Sequence, residues 1–120
     1  MATTDPVLEW IGVYDADATL RGELAYWIGA RLGTRHCALC DVTHGLVRER
    51  AAWRACAARL PAPFTTHHRD DAPADVREAA AGRYPVVLAR TAGGLCVALD
   101  AAAIEACGGS PEELARRLGA

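Results

Sequence analysis

Sulfur and imidazole are concentrated in one short segment of this sequence. Cys37 and Cys40 form a Cys-x-x-Cys motif, and His44 follows four residues after the second cysteine. Thiolate sulfur and imidazole nitrogen are ligands that Zn(II) binds in tetrahedral sites, and a pair of thiols can also exchange disulfides with a partner. The segment therefore indicates either metal binding or thiol redox chemistry.

The spacing places these side chains on one face of a predicted helix. With Cys37 at zero and about 100° per residue, Cys40 falls at about 300°, His44 at about 340° and Asp41 at about 40°. The opposite face, between about 140° and 200°, carries the apolar residues Leu39, Val42 and Leu46. We expect the apolar face to pack on the core, which leaves the sulfur face for a ligand.

A tetrahedral zinc site built on Cys37, Cys40 and His44 needs one more ligand. His67 and His68 are the candidates, and since side chains alternate along a strand, only one of them can face the helix. His36 lies near the helix start and is a further candidate, and Asp41 could orient His44 as an outer acceptor. We predict a zinc-binding protein, although the same donor set also suits Cu(I).

Two other functions fit the same motif. If Thr34 caps the helix, Cys37 lies in its first turn, where the helix dipole and the neighbouring Arg35 and His36 would favour the thiolate. Cys40 could then resolve a mixed disulfide with a protein thiol partner, as in a thiol-disulfide oxidoreductase or a redox sensor. The third interpretation is a non-catalytic domain that binds a protein partner.

The elements that must position this motif alternate between strand and helix. A β-branched and aromatic run predicts a first strand over 7–14, and helical spacing predicts three helices between it and a second strand over 64–69. A helix between Pro73 and Gly82, a strand over 85–89, a turn, a strand over 95–99 and two terminal helices follow. We predict a single α/β domain over 1–120, with a mixed sheet of about four strands.

This order of elements resembles the thioredoxin fold. The residues that carry the resemblance are Tyr84-Pro85 directly before the third strand, the Gly93-Gly94 hairpin after it, and, loosely, Val13-Tyr14-Asp15 at the end of the first strand. In that family the proline is usually cis and lies beside the active site, which implies that Pro85 forms a platform there. The family's redox motif follows the first strand, where this chain has 17–20 without cysteine; its own motif lies in a predicted helical insertion over 34–60.

Composition excludes several classes of function. The chain has 120 residues, and its 13 basic residues, all arginine, face 15 acidic ones, giving a net charge of −2. A balance of this kind gives no electrostatic reason to bind nucleic acid or an anionic membrane. Because there is no lysine, Schiff-base chemistry and a P-loop are also excluded.

The remaining cysteines and the N-terminal residues bear on the compartment. Five cysteines are an odd number and too few for a disulfide scaffold, and the first residues have neither the basic nor the apolar region of a signal peptide. We therefore expect a cytoplasmic, reducing environment. Outside the motif, we expect the thiols of Cys56, Cys96 and Cys107 to serve packing rather than chemistry.

Overall fold

A computed structural model describes residues 6–15, 39 and 51–119 of the chain. The two helices that the sequence predicts before residue 48 lie outside the described residues, except that Leu39 is described and is helical. The elements of the described part are, in chain order, β1 (Glu9–Tyr14), α1 (Ala51–Ala57), β2 (Phe64–His68), α2 (Ala74–Ala80), β3 (Val86–Thr91), β4 (Gly94–Leu99), α3 (Ala101–Glu105) and α4 (Pro111–Arg117).

The four strands form one mixed sheet in the order β2-β1-β3-β4. β1 and β2 are parallel, with Tyr14 beside His68, whereas β1 and β3 are antiparallel, with Val13 beside Val86. A parallel pair needs a crossover between its strands, and the long stretch between β1 and β2 supplies it. The predicted small α/β domain with a four-stranded mixed sheet is therefore confirmed.

β3 and β4 form the predicted antiparallel hairpin, but the sheet register shifts between Val87 and Leu88. Val87 pairs with Leu99 and Leu88 with Val97, so β4 carries one extra residue at this point. A bulge of this kind turns the following side chains to the other face. Regular alternation would place Leu95 and Leu99 on one face of β4, whereas they pack on opposite sides of the sheet.

Apolar side chains cover both faces of the sheet. On one face lies a group that we call the tryptophan cluster, which α1, α3 and α4 cover; it includes Trp10, Tyr14, Leu39, Trp53, Ile104 and Leu114. On the other face lies the aliphatic cluster, which α2 covers; it includes Ile11, Val13, Val76, Val86 and Leu88. Alternation along β1 and β3 sends their side chains to the two clusters in turn.

Side chains cap the N-termini of the last two helices. Asp100 caps α3, its carboxylate accepting a hydrogen bond from the Ala103 N–H at 2.8 Å. Ser110 caps α4, its hydroxyl accepting from the Glu113 N–H at 3.2 Å, with Pro111 in the first turn. Among the described residues, no helix has the length and apolar character that crossing a membrane requires.

Candidate functional site

Leu39 is the described residue of the Cys-x-x-Cys motif, and it is buried in the core. Its side chain is 0% exposed and belongs to the tryptophan cluster, together with Trp10 and Tyr14 of β1. This is the placement expected for the apolar face of the predicted motif helix. Cys37, Cys40, Asp41 and His44, as well as His36, lie outside the described residues.

The sheet meets Leu39 at Gly12, in the middle of β1. A Cβ atom built on Gly12 would lie 3.1 Å from Leu39 Cδ2 and 2.9 Å from Phe64 Cζ. Gly12 therefore leaves a gap in the row of side chains between Trp10 and Tyr14, and Leu39 and the Phe64 ring fill that gap. A strand glycine often marks a close approach of another part of the chain, and here that part is the motif residue.

The register of β2 distinguishes between the two candidate histidines. Trp10 pairs with Phe64 and Tyr14 with His68, whereas Val13 pairs with His67. His68 therefore lies on the same side of the sheet as Tyr14, the tryptophan-cluster side on which Leu39 packs. His67 lies on the side of Val13 and the aliphatic cluster. Of the two histidines, His68 is therefore the one on the side of the sheet on which Leu39 packs.

Two neighbours hold the His68 ring at the end of β2. The rings of Tyr14 and His68 have centroids 5.5 Å apart at an angle of 57°. His68 Nδ1 lies 3.5 Å from Asp71 Oδ2, and the other oxygen of the same carboxylate accepts a hydrogen bond from the His68 N–H at 2.7 Å. A carboxylate beside one ring nitrogen is the arrangement that commonly orients a histidine ligating a metal through the other nitrogen.

β1 and β2 end at one edge of the sheet, which also holds polar groups. Arg69 Nη1 donates to Asp15 Oδ1 at 3.0 Å and so joins the residues that follow the two strands. Because Val86 pairs with Val13, Pro85 lies at this same edge, beside Tyr14. The Tyr84–Pro85 peptide bond is cis, the isomer that the thioredoxin resemblance implies. Tyr84 itself packs against the aliphatic cluster, away from His68.

The three cysteines outside the motif differ in their exposure to solvent. Cys56 and Cys107 are buried in the tryptophan cluster, as expected for packing thiols, but Cys96 is exposed. The expectation for Cys96 was wrong because β4 is the edge strand of the sheet and Cys96 lies at its open surface.

The two buried thiols are in environments that oppose ionisation. Burial, and then the hydrogen bond to Glu112 at 3.6 Å, raise the pKa of Cys56 although Arg59 lies 3.4 Å from its sulfur. Burial likewise raises the pKa of Cys107. Because the thiolate is the nucleophile and the metal ligand, both thiols are poorly suited to chemistry.

The described residues alone do not complete a metal site. Within 6–15, 39 and 51–119, no group of three or more histidine, cysteine or acidic side chains could hold a metal ion. His68 is the described histidine on the side of the sheet on which Leu39 packs, and Cys37, Cys40 and His44 lie outside the described residues.

Comparison with known proteins gave no match to a family model, a curated protein or a solved structure.

Two residues of this region were not singled out from the sequence. Asp71 was one of several acidic residues in a polar run, and only the loop after β2 shows that it touches the His68 ring. Gly12 interrupts an apolar run in which a glycine is unfavourable, and that interruption was the available signal of a close approach.

Proposed function

We propose that this protein binds a transition metal, most favourably Zn(II), through the thiolates of Cys37 and Cys40 and the imidazoles of His44 and His68. The observation that carries the proposal is the burial of Leu39 in the tryptophan cluster. In a helix with Leu39 directed to the core, Cys37, Cys40 and His44 are expected on the side away from Leu39. Of the two candidates His67 and His68, only His68 lies on the side of the sheet on which Leu39 packs, so it is the histidine nearer to the expected motif helix.

The donor set fits zinc in chemistry. Two thiolates and two imidazoles make one of the common tetrahedral structural sites, and a site with all four positions filled by protein is a structural one. Asp71 would orient His68 from the outer side, as Asp41 would orient His44. Cu(I) also accepts sulfur and nitrogen ligands, so zinc is preferred here because imidazole makes up half of the set.

A thiol-disulfide oxidoreductase is the second candidate, and the sheet edge favours it. Pro85 lies directly before β3, at the same end of the sheet as Asp15 and Arg69, which follow β1 and β2. This placement and the order of elements support the thioredoxin-like interpretation, in which Cys37 attacks and Cys40 resolves a disulfide with a partner's thiol. The third candidate, a partner-binding domain without redox chemistry, would need neither thiol.

Metal analysis of protein purified under reducing conditions tests the proposal. We expect about one zinc ion per chain in the wild type, because the four ligands form a single tetrahedral site. The variants Cys37→Ser, Cys40→Ser and His44→Ala should lose most of it. Cys96→Ser is the matched control, since it removes a thiol that is exposed at the sheet edge, and it should keep the metal.

The same preparations separate the candidates. A wild-type protein without bound metal would overturn the zinc proposal. If Cys37 then titrates well below the usual thiol pKa of about 8.5, the oxidoreductase becomes the better account. If the protein binds no metal and Cys37 titrates near the usual thiol pKa, the partner-binding domain becomes the best interpretation.

A further inference from the structure

Gly12 occupies a position in β1 where a side chain would be expected. β1 is an inner strand, paired with β2 on one side and β3 on the other, and Gly12 lies opposite Thr66 and Val87. Glycine weakens a strand interior because it has no side chain to pack and loses more backbone freedom on folding. Its backbone is not in the left-handed region that would require glycine. Space is therefore the remaining reason for glycine at this position.

The space above Gly12 is filled from two directions. Trp10 and Tyr14, the neighbours of Gly12 on the same side of β1, are 8% and 5% exposed and close the two ends of the gap. Between them, the Phe64 ring and Leu39 approach to 2.9 Å and 3.1 Å of a Cβ position. Contacts shorter than ordinary carbon–carbon van der Waals separation, about 3.5–4.0 Å, cannot accommodate an added methyl group without movement.

One of the two groups that fill the gap belongs to the Cys-x-x-Cys motif. Leu39 directly precedes Cys40 and follows Cys37 by two residues. Interiors are packed closely enough that a shift of one side chain moves its neighbours. A displacement of Leu39 would therefore be transmitted to the backbone of the motif.

We infer that Gly12 is a positioning residue that seats the Cys-x-x-Cys motif on the sheet by admitting Leu39. This inference deepens the proposed function, because it concerns the cysteines that the proposal assigns to the metal. Gly12 acts on the motif through its close approach to Leu39.

The test is the alkylation rate of each cysteine in the metal-free full chain. Iodoacetamide is the probe, chelator is present, and mass spectrometry reads each cysteine separately. Gly12→Ala pushes against Leu39, and Leu39→Val shortens the group that fills the gap. Both should displace the motif and change the rates of Cys37 and Cys40 at least about fivefold, because the reactivity of a thiol depends on its immediate surroundings.

Leu88→Val is the matched control. Leu88 is as fully buried as Leu39 but belongs to the aliphatic cluster on the other side of the sheet. It should leave the rates of Cys37 and Cys40 unchanged, and the exposed Cys96 should react at the wild-type rate in every variant. Circular dichroism identifies the folded variants, and Leu39→Val, the milder change, decides the result if Gly12→Ala does not fold.

Rates at Cys37 and Cys40 that stay at the wild-type value in folded Leu39→Val would overturn the inference. An equal change in Leu88→Val would overturn it too, since the effect would then not depend on the contact between Gly12 and Leu39. Zinc content of the wild type is measured separately on untreated protein and reports on the proposed function alone. Because the alkylation test uses metal-free protein, absence of zinc would not hide the effect of Gly12.

Discussion

His67 and His68 are adjacent in the sequence but face opposite sides of the sheet. His68 contacts the ring of Tyr14 on the tryptophan-cluster side, while His67 lies beside Val13 on the aliphatic side. The pair is therefore a natural comparison, because each substitution removes one imidazole from the same strand. Only one of them removes a group from the side on which Leu39 packs.

We predict that His68→Ala lowers zinc affinity by at least about 100-fold, since four ligands share a binding free energy of about 10–16 kcal/mol. His67→Ala should bind zinc as the wild type does. Competition with a chelator of known affinity measures both, with circular dichroism as the check on folding. Equal affinities in the two variants would contradict the assignment of His68.

The sequence restricted the fourth ligand to two histidines but could not choose between them. Alternation along a strand places adjacent side chains on opposite faces of the sheet, but it does not show which face the motif helix covers. That choice depends on the pairing of β2 with β1 and on the burial of Leu39, and both are properties of the assembled sheet. The contact between Asp71 and the His68 ring could not be predicted either, because it depends on the path of the loop after β2.

Among the described residues, the carboxyl group whose pKa is shifted most belongs to Glu113 in α4. Glu113 forms ion pairs with Arg116 and with Arg117, the latter at 3.0 Å, and these contacts lower the pKa of Glu113 to about 2. In the unfolded chain, where these contacts are absent, the carboxyl group keeps its ordinary pKa of 4.5. The ionised form is thus favoured in the folded state.

This shift predicts a pH dependence with a defined sign. A group whose pKa is lowered on folding stabilises the protein above its unfolded pKa, and the stabilisation is lost as the pH falls through the folded value. The melting temperature of Glu113→Gln should therefore lie below that of the wild type near pH 7, and the two should converge as the pH falls from about 4.5 to about 2. The difference should be small, since exposed ion pairs contribute little.

Glu78→Gln on α2 is the control for this prediction, because Glu78 is exposed and no ion pair of it occurs within the described part of the chain. Thermal unfolding followed by circular dichroism over this pH range makes the comparison. A gap between wild type and Glu113→Gln that stays constant down to pH 2 would contradict the assigned cause.

The bounds of helices and strands follow from local rules, whereas the side of the sheet to which each β4 side chain points does not. Asp100 caps α3 and Ser110 caps α4, and capping of this kind depends on a few adjacent residues. The bulge beside Leu88 depends on how two strands fit each other, so regular alternation of Leu95 and Leu99 would give the wrong face for one of them. The exposure of Cys96 was not predicted, because the sequence did not show that β4 is an edge strand.

At the scale of the whole molecule, the order of strands and helices was sufficient to predict a small α/β domain with a mixed sheet. Turn residues, β-branched runs and caps are local signals, and together they permit few arrangements. The thioredoxin-like interpretation rests on that order and on Pro85 before β3. The long stretch between β1 and β2, which carries Cys37 and Cys40, is outside the described residues except at Leu39.

Leu39 connects the Cys-x-x-Cys motif to the rest of the molecule, because its buried side chain packs on the sheet that carries His68. The proposed metal site would be made jointly by the predicted motif helix and by β2. Because its ligands would come from parts of the chain that are distant in sequence, zinc binding should also stabilise the fold.

X-ray absorption at the zinc edge of the wild-type protein identifies the ligands of the proposed metal site. We predict two sulfur ligands at about 2.3 Å and two nitrogen ligands at about 2.0–2.1 Å, the distances of a closed tetrahedral site. A bound zinc ion surrounded only by oxygen and nitrogen, or a protein that retains no zinc under reducing conditions, would contradict it.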